Sequence, residues 1–508
     1  MSAKKAQSSD YKSLAAPGKR GVAEENGITS LVPPKRKDRE KRFENESLKT
    51  KKARLLEAEA PAAPSIQTEE KRENPALTYA EEQKISRKEK RARKDSLLIF
   101  GDRWLARNGH FLTYVGLYIF SILVLFRPYE LVPALGFLSA TAFYFAAATL
   151  LVFIPTQLST EGSMTAFPTE VKCVLAMTFF AVVTMPIGKD FANSWAEFND
   201  SFIKAVLIFI VMVNALRTRR RLLGIVRLSL GVGVVLSYMA LSMYMRGELK
   251  AEGYRVAVDI GGLFGNPNDM ALHLVTMTPL AVCLGMAAKR APARIFYFAM
   301  AVLFVAANMV TYSRGGFLGF VVSSGVLAWK LGRKHRLQVA LASLLAGGLI
   351  VLLAPGNYGL RLLSIFLPGL DEAGSSDQRR ELLFRSLFVT ARNPWGIGIG
   401  NSPIMNDYNL EWHNAYTQVA SELTVFGFAA YFIFLVSPLR KLAAIERKQH
   451  TDGSREWFYY LSIGLQASIV GYMVSSFFVS VAYNWFAYYI IAYAVAFRRI
   501  YRLEKGDV

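Results

Sequence analysis

The chain has 508 residues, 52% of them hydrophobic, with a mean hydropathy of +0.25, yet it carries 60 Lys+Arg against 39 Asp+Glu, a net +21. A soluble chain of this length divides into roughly two or three domains with an ordinary polar surface. Here long apolar runs alternate with basic clusters, which excludes that class and points to an integral membrane protein.

Residues 1–96 hold 24 Lys+Arg and 16 Asp+Glu, a net +8, and the remaining 412 residues hold 36 and 23, a net +13. The first segment contains PPKRKDREKR at 33–42 and SRKEKRARK at 86–94, with few large apolar residues. It cannot bury enough surface to offset its chain entropy and is expected to be a disordered basic tail, with a nascent helix near Leu48–Ala60. It opens without an early apolar core, so it is not read as a signal peptide. Basic runs of this kind also occur in nucleic-acid binders, but next to a first membrane span they are better explained by orientation and anionic lipid, and no nucleic-acid partner is expected. Cys173 and Cys283 both lie in apolar runs and read as small buried hydrophobes.

A helix needs about 20 apolar residues to cross the hydrocarbon. Such runs occur near 111–126, 131–154, 171–187, 200–216, 222–245, 270–288, 293–311, 315–330, 337–354, 413–437, 457–479 and 483–497, which predicts an all-α polytopic protein of about twelve transmembrane helices. Lys and Arg gather in alternate connections: four in RTRRR at 217–221, three in KRAPAR at 289–294, four in KLGRKHR at 330–336, five in 438–456 and four from Arg498 onward. By the positive-inside rule these and both termini face the cytoplasm, which leaves 246–269 and 355–410 outside.

The 355–410 loop, between spans 9 and 10, keeps Arg361, Arg379, Arg380, Arg385 and Arg392 outside against that bias, as expected if some of them meet an anion. Within it, Gln378–Arg392 places Leu383, Leu387 and Phe388 at helical spacing and stops at Asn393-Pro394, predicting an amphipathic helix at the outer interface. Arg314, where one span ends outside and the next begins, Arg379 or Arg380 at the start of the loop helix, and His413 at the opening of the next span can share one outer layer. Guanidinium groups bind phosphate oxygens and stay charged, and a histidine can take a proton from an attacking hydroxyl. No D-x-D cluster stands out in the outer loops, so transfer from a diphosphate-linked lipid donor without a metal or cofactor is the expected chemistry.

Four stretches then match a known pattern: GLFGNPNDMALHLVTMTPLAV at 262–282, TYSRGGFLGF at 311–320, the run from Arg379 to NPWGIGIGN ending at 401, and HNAYTQVASELTVFGF at 413–428. In this order the chain, over about residues 110–500, resembles the O-antigen ligase/polymerase family of bacterial membrane proteins. The resemblance implies a metal-free C-type glycosyltransferase of the inner membrane with a periplasmic active site. The implied donor is a glycan on undecaprenyl diphosphate, and the implied acceptor is a lipid A-core, another glycan or a protein. It also implies that Arg314, Arg379 and His413 are catalytic, with Arg380 a rival for Arg379, and that the family's acidic residue falls on Glu422. Glu422 lies nine residues past His413, about half a turn round an ideal helix, and reads as packing or positioning.

Other residues carry plainer readings. In NPND, Asn266–Asp269, polar side chains are expected to cap the next span, with Asn268 a candidate donor contact. GIGIG at 396–400 lacks a βαβ context and reads as a tight backbone path. His273 reads as a satisfied helix histidine, and His110, His335 and His450 fall at the cytoplasmic side. Two other classes compete with the enzyme: a lipid-linked glycan transporter or flippase using the arginines only to bind, and a scaffold acting through the N-terminal tail. Neither an obvious repeat nor paired broken helices favour the transporter.

Overall fold

The computed structural model describes residues 109–138, 141–249, 251, 254–258, 260, 264–333, 338, 359, 375–454 and 456–505. The expected tail, the span at 337–354, Arg361 and His335 lie outside the described residues. Apart from one bridge between Ala251 and Arg255, the regular structure among them is helical. In chain order the helices are α1 Phe111–Leu125, α2 Thr141–Glu161, α3 Thr169–Thr184, α4 Phe191–Glu197, α5 Ile203–Ala215, α6 Arg219–Met245, α7 Pro267–Ala287, α8 Ala291–Val310, α9 Arg314–Leu331, α10 Ser375–Arg392, α11 Ala415–Glu422, α12 Thr424–Thr451, α13 Trp457–Ser475 and α14 Trp485–Lys505.

Seven stretches among the described residues are long and apolar enough to cross a membrane: 111–130, 134–161, 219–245, 267–287, 291–310, 424–451 and 457–478. Helices α3 and α5 fall short by length, at 16 and 13 residues. Three expected spans are interrupted, each for a local reason. Pro128 and Pro133 break the run before α2 into a one-turn helix and a 3-10 turn. A π-turn at Phe198–Phe202 precedes α5. The apolar run at 413–437 is two helices, because Thr424 takes φ +76° and its hydroxyl accepts the amides of Phe426 and Gly427, restarting the helix as a new cap.

The core sits around α7 and α13, in which 83% and 72% of the apolar window is buried, against 12% for the window that includes α2. In lipid, apolar side chains gain little by leaving their solvent for each other, so close backbone approach and interhelical hydrogen bonds carry the packing. The small residues Gly464 and Gly471 of α13 meet Cys283 and Ser323, while Ser468 Oγ donates to the Thr276 carbonyl at 2.6 Å. Phe143, Leu151, Phe179, Ile295 and Val302 face outward and are more than half exposed, as lipid-facing residues are.

One end of the bundle is locked by three carboxylates, Glu170 and Glu446 buried and Glu161 part-buried. Glu170 accepts from both Arg498 Nη1 and Nη2 at 2.7 and 3.1 Å, from Lys441 at 3.1 Å and from Ser437 at 3.0 Å. Glu161 pairs with Arg217 and Arg499, and Glu446 with Lys330, Arg333 and Gln466. These partners sit at the ends of α2, α5, α9, α12 and α14 and the start of α3, so those ends share one layer. It is the layer of the basic connections, and His110 and His450 lie there, beside Thr160 and Tyr459. Cys173 and Cys283 are buried and unpaired.

Candidate functional site

The opposite end is built from turns. Before α9 the backbone turns sharply at Tyr312, φ +52°, and Ser313 caps the helix by accepting the Gly316 amide at 3.1 Å. This puts Arg314 on the first helical residue, 9% exposed. The glycines after it are required by packing. A Cβ on Gly315 would lie 2.7 Å from that of Phe478, and one on Gly316 would lie 2.7 Å from that of Ala271. The turn is tied to α7 by a buried network in which Asn268 Oδ1 accepts from Ser313 Oγ at 2.9 Å and from Arg255 Nη2 at 2.7 Å, and Arg255 Nε donates to the Thr311 carbonyl at 2.9 Å. Asn266 caps α7 by accepting the Asn268 amide.

Helix α10 ends at Arg392, ahead of Asn393-Pro394. Leu382, Ser386 and Val389 form its inward face, with Leu382 and Val389 packed on Ile397 and Trp412, while Phe384, Leu387 and Phe388 are 60%, 51% and 51% exposed. The apolar positions expected to form one face therefore belong mostly to the open side. Arg380 stacks over Phe384 and Arg392 over Phe388 on that side. Arg379 is half-buried and lies within electrostatic reach of His413. Neighbouring helical residues are rotated by about 100°, which sends the two arginines in different directions.

The GIGIG segment docks this helix onto the bundle. Gly396, Gly398 and Gly400 have φ +82°, +89° and +78°, and the segment pairs with the chain at both sides: the Ile397 amide donates to the Ser421 carbonyl, and the Lys189 amide donates to that of Ile397. Glu422, fully buried, accepts the amides of Gly400 at 3.0 Å and Ser402 at 3.3 Å. Asn401 Nδ2 donates to Ile397, Asp190 and Ser194, and Asn193 reaches Gly400 and Asn401 from α4. Glu422 is thus occupied in holding the loop.

His413 sits between two fixed neighbours. Trp412 is buried and donates to Ser421 Oγ at 3.0 Å, while Asn414 caps α11 by accepting the amides of Tyr416 and Thr417. Between them His413 takes φ +52°, a conformation costing a non-glycine residue about 1–3 kcal/mol. Burial first, and then the positive charge of Arg379, lower its ring pKa to about 4, so the imidazole is neutral at pH 7. The turn Ser476–Phe478 links this residue to Arg314, since Phe478 packs on Gly315 and Phe477 on Tyr416, whose hydroxyl donates to the Met473 carbonyl at 2.6 Å. Solvent reaches Glu411, but crowding strips much of its hydration, and with the charge of Glu197 this raises its carboxyl to about 7.

The structure thus places Arg379 within electrostatic reach of His413, and one turn, Ser476–Phe478, touches both Gly315, next to Arg314, and Tyr416, three residues past His413. It turns Arg380 toward the open face of α10, and it occupies the side-chain oxygen of Asn268 with Arg255 and Ser313. His273 lies elsewhere, its Nε2 at 3.2 Å from the Ser229 carbonyl. Sequence reasoning missed Arg255 and Glu411. Arg255 was visible as a cation in an outer connection, and Glu411 as a carboxylate two residues from His413. Among the described residues no group of three His, Cys, Asp or Glu is placed to hold a metal ion.

No curated protein matches the chain. The family model described as O-antigen ligase matches residues 298–432, which run from α8 through the Arg314 turn, α10 and His413 into α12. By that match and by its motifs, this part of the chain is similar to the O-antigen ligase/polymerase family, and with seven helices apolar enough to span a membrane among the described residues it supports a membrane protein of polysaccharide biosynthesis.

Proposed function

We propose that the protein is a C-type glycosyltransferase of the bacterial inner membrane. It moves a glycan from an undecaprenyl-diphosphate donor to an acceptor hydroxyl on a lipid A-core, a glycan or a protein. The observation that carries this reading is the pairing of a strained, neutral His413 with Arg379, with the turn Ser476–Phe478 touching the segments that carry His413 and Arg314. Arg314 and Arg379 hold the diphosphate oxygens and stabilise the negative charge that builds as the anomeric C–O bond breaks, so the reaction proceeds without a metal. The donor's negative charge offsets that of Arg379 and brings the imidazole's proton affinity back toward neutrality. His413 then takes the hydroxyl proton as the acceptor oxygen forms its bond to the anomeric carbon and the diphosphate leaves with the electron pair. In-line attack inverts that carbon.

The layout that goes with this chemistry has twelve spans, both termini in the cytoplasm, an accessory basic tail at 1–96 and the site in the periplasm. The open face of α10 then rests on the membrane surface, with Phe384 and Phe388 in the interface and Arg380 and Arg392 among the headgroups, where Arg380 meets donor phosphate. Asn268 contributes by fixing the Arg314 turn. Purified protein supplied with a polyprenyl-diphosphate glycan and an acceptor is expected to release free polyprenyl diphosphate, which a transporter does not do. His413→Ala is expected to abolish that release at normal abundance and membrane insertion. Wild-type release by this variant would remove the catalytic role.

A further inference from the structure

At the locked end of the bundle, α12 and α14 enclose a cavity of about 90 Å³ lined by Lys441, Ala444, Ile445, Arg498, Tyr501 and Arg502. This is room for several waters, since roughly 10–15 Å³ of such space holds one. Its charge is unbalanced: three cations face it, and the carboxylate paired with two of them is Glu170, which leaves a formal +2. Glu170 also leaves part of Arg498 unanswered. Both terminal nitrogens of that guanidinium are bonded to the carboxylate, but its Nε has no hydrogen-bond partner, although the side chain is only 8% exposed. Arg502 is exposed on the cavity's rim, close enough for its charge to act on Lys441. A buried donor without an acceptor is unfavourable, and it adds to the unbalanced positive charge beside the cavity. Three converging cations with apolar walls from Ala444, Ile445 and Tyr501 suit a phosphate carried on an apolar body.

We propose that this cavity is a phosphate-binding site, separate from the transfer site, which takes the headgroup of an anionic membrane lipid or a free phosphate. Phosphate oxygens accept from Lys441 and Arg502 beside the Arg498 guanidinium, and in the lipid case the acyl chains leave along the exposed Ala444. The full-length protein, purified in detergent, tests this by native mass spectrometry with phosphatidylglycerol and, separately, phosphatidylcholine of the same chains. A parallel calorimetric titration uses inorganic phosphate. Wild type is expected to retain phosphatidylglycerol over phosphatidylcholine, and Arg502→Gln to hold it about fivefold more weakly, as removal of one cation beside an anionic headgroup implies. Because Arg502 is exposed, the variant is expected to fold normally and to keep wild-type transfer. Phosphate binding without lipid selectivity, weakened by the same substitution, supports a soluble anion as the occupant. Equal retention of the two lipids by wild type, together with no phosphate binding, overturns the proposal, as does equal binding by wild type and Arg502→Gln.

Discussion

Replacing Gly398 by Ala tests whether the GIGIG segment is the joint that fixes α10. At φ +89° a side chain with a Cβ is strained, by about 1–2 kcal/mol on the scale of left-handed backbone. The added methyl would also stand 2.7 Å from Ser194 Oγ and 2.9 Å from Asn401 Nδ2, both fully buried. Asn401 cannot yield without loosening its bonds to Ile397, Asp190 and Ser194, so overpacking adds about 1–3 kcal/mol. The sum, about 2–5 kcal/mol, raises the local opening equilibrium at least about thirtyfold, at 1.36 kcal/mol per tenfold. Hydrogen exchange followed by mass spectrometry is expected to show faster exchange across residues 396–402 with unchanged protection in α13. Glycan transfer is expected to fall with it, because Arg379 rides on the helix this segment anchors. Wild-type exchange in that segment would refute the reasoning.

Three further outcomes follow from other parts of the structure. Glu170→Ala leaves the Arg498 guanidinium buried without its carboxylate and is expected to cost about 3–5 kcal/mol, read as a lowered thermal midpoint in detergent. His413, whose folded pKa of about 4 lies below its ordinary 6.5, binds its proton more readily when unfolded. Stability is therefore expected to drop as pH falls from 6.5 toward 4, and Arg379→Ala is expected to narrow that window from below by raising the folded pKa, measured by NMR titration or the acid limb of kcat/KM. Asn268→Ala removes the acceptor shared by Ser313 and Arg255 and is expected to cost about 1–3 kcal/mol and lower transfer, whereas Asn268→Asp, which keeps the acceptor, recovers more of both.

Helices that carry a simple apolar run were legible in the sequence. The run 315–330 became Arg314–Leu331 and the run 222–245 became Arg219–Met245, because hydropathy and a capping Ser or Thr act locally. What escaped depends on side chains that meet across distance or on choices that periodicity leaves open. The run through Leu423 is uninterrupted in hydropathy, and only the hydroxyl of Thr424 restarts the helix. Helix α10 has apolar residues on two faces, at 382 and 389 and at 384, 387 and 388, and packing on Ile397 and Trp412 selected the former. The motif residues marked the site's three cationic or titratable groups, but nothing in their spacing separated Arg379 from Arg380. Nor did it reveal that Glu422 serves the loop amides, since its partners lie about twenty residues earlier.

The carboxylate clusters also impose an order on the making of the molecule. Glu161 and Glu170 belong to α2 and α3, which leave the ribosome early, whereas Arg499 and Arg498, which complete their pairing, belong to α14 at the far end of the chain. Until α14 arrives, Glu170 has Lys441 and Ser437 but not its guanidinium, and Glu161 has Gln157 and Arg217. The early helices are therefore held in a provisional arrangement, and its fastening is supplied by a helix about 300 residues later in the chain. Chains cut short before Arg498 would leave Glu170 and Glu161 without those guanidinium partners, while Glu446 keeps Lys330, Arg333 and Gln466.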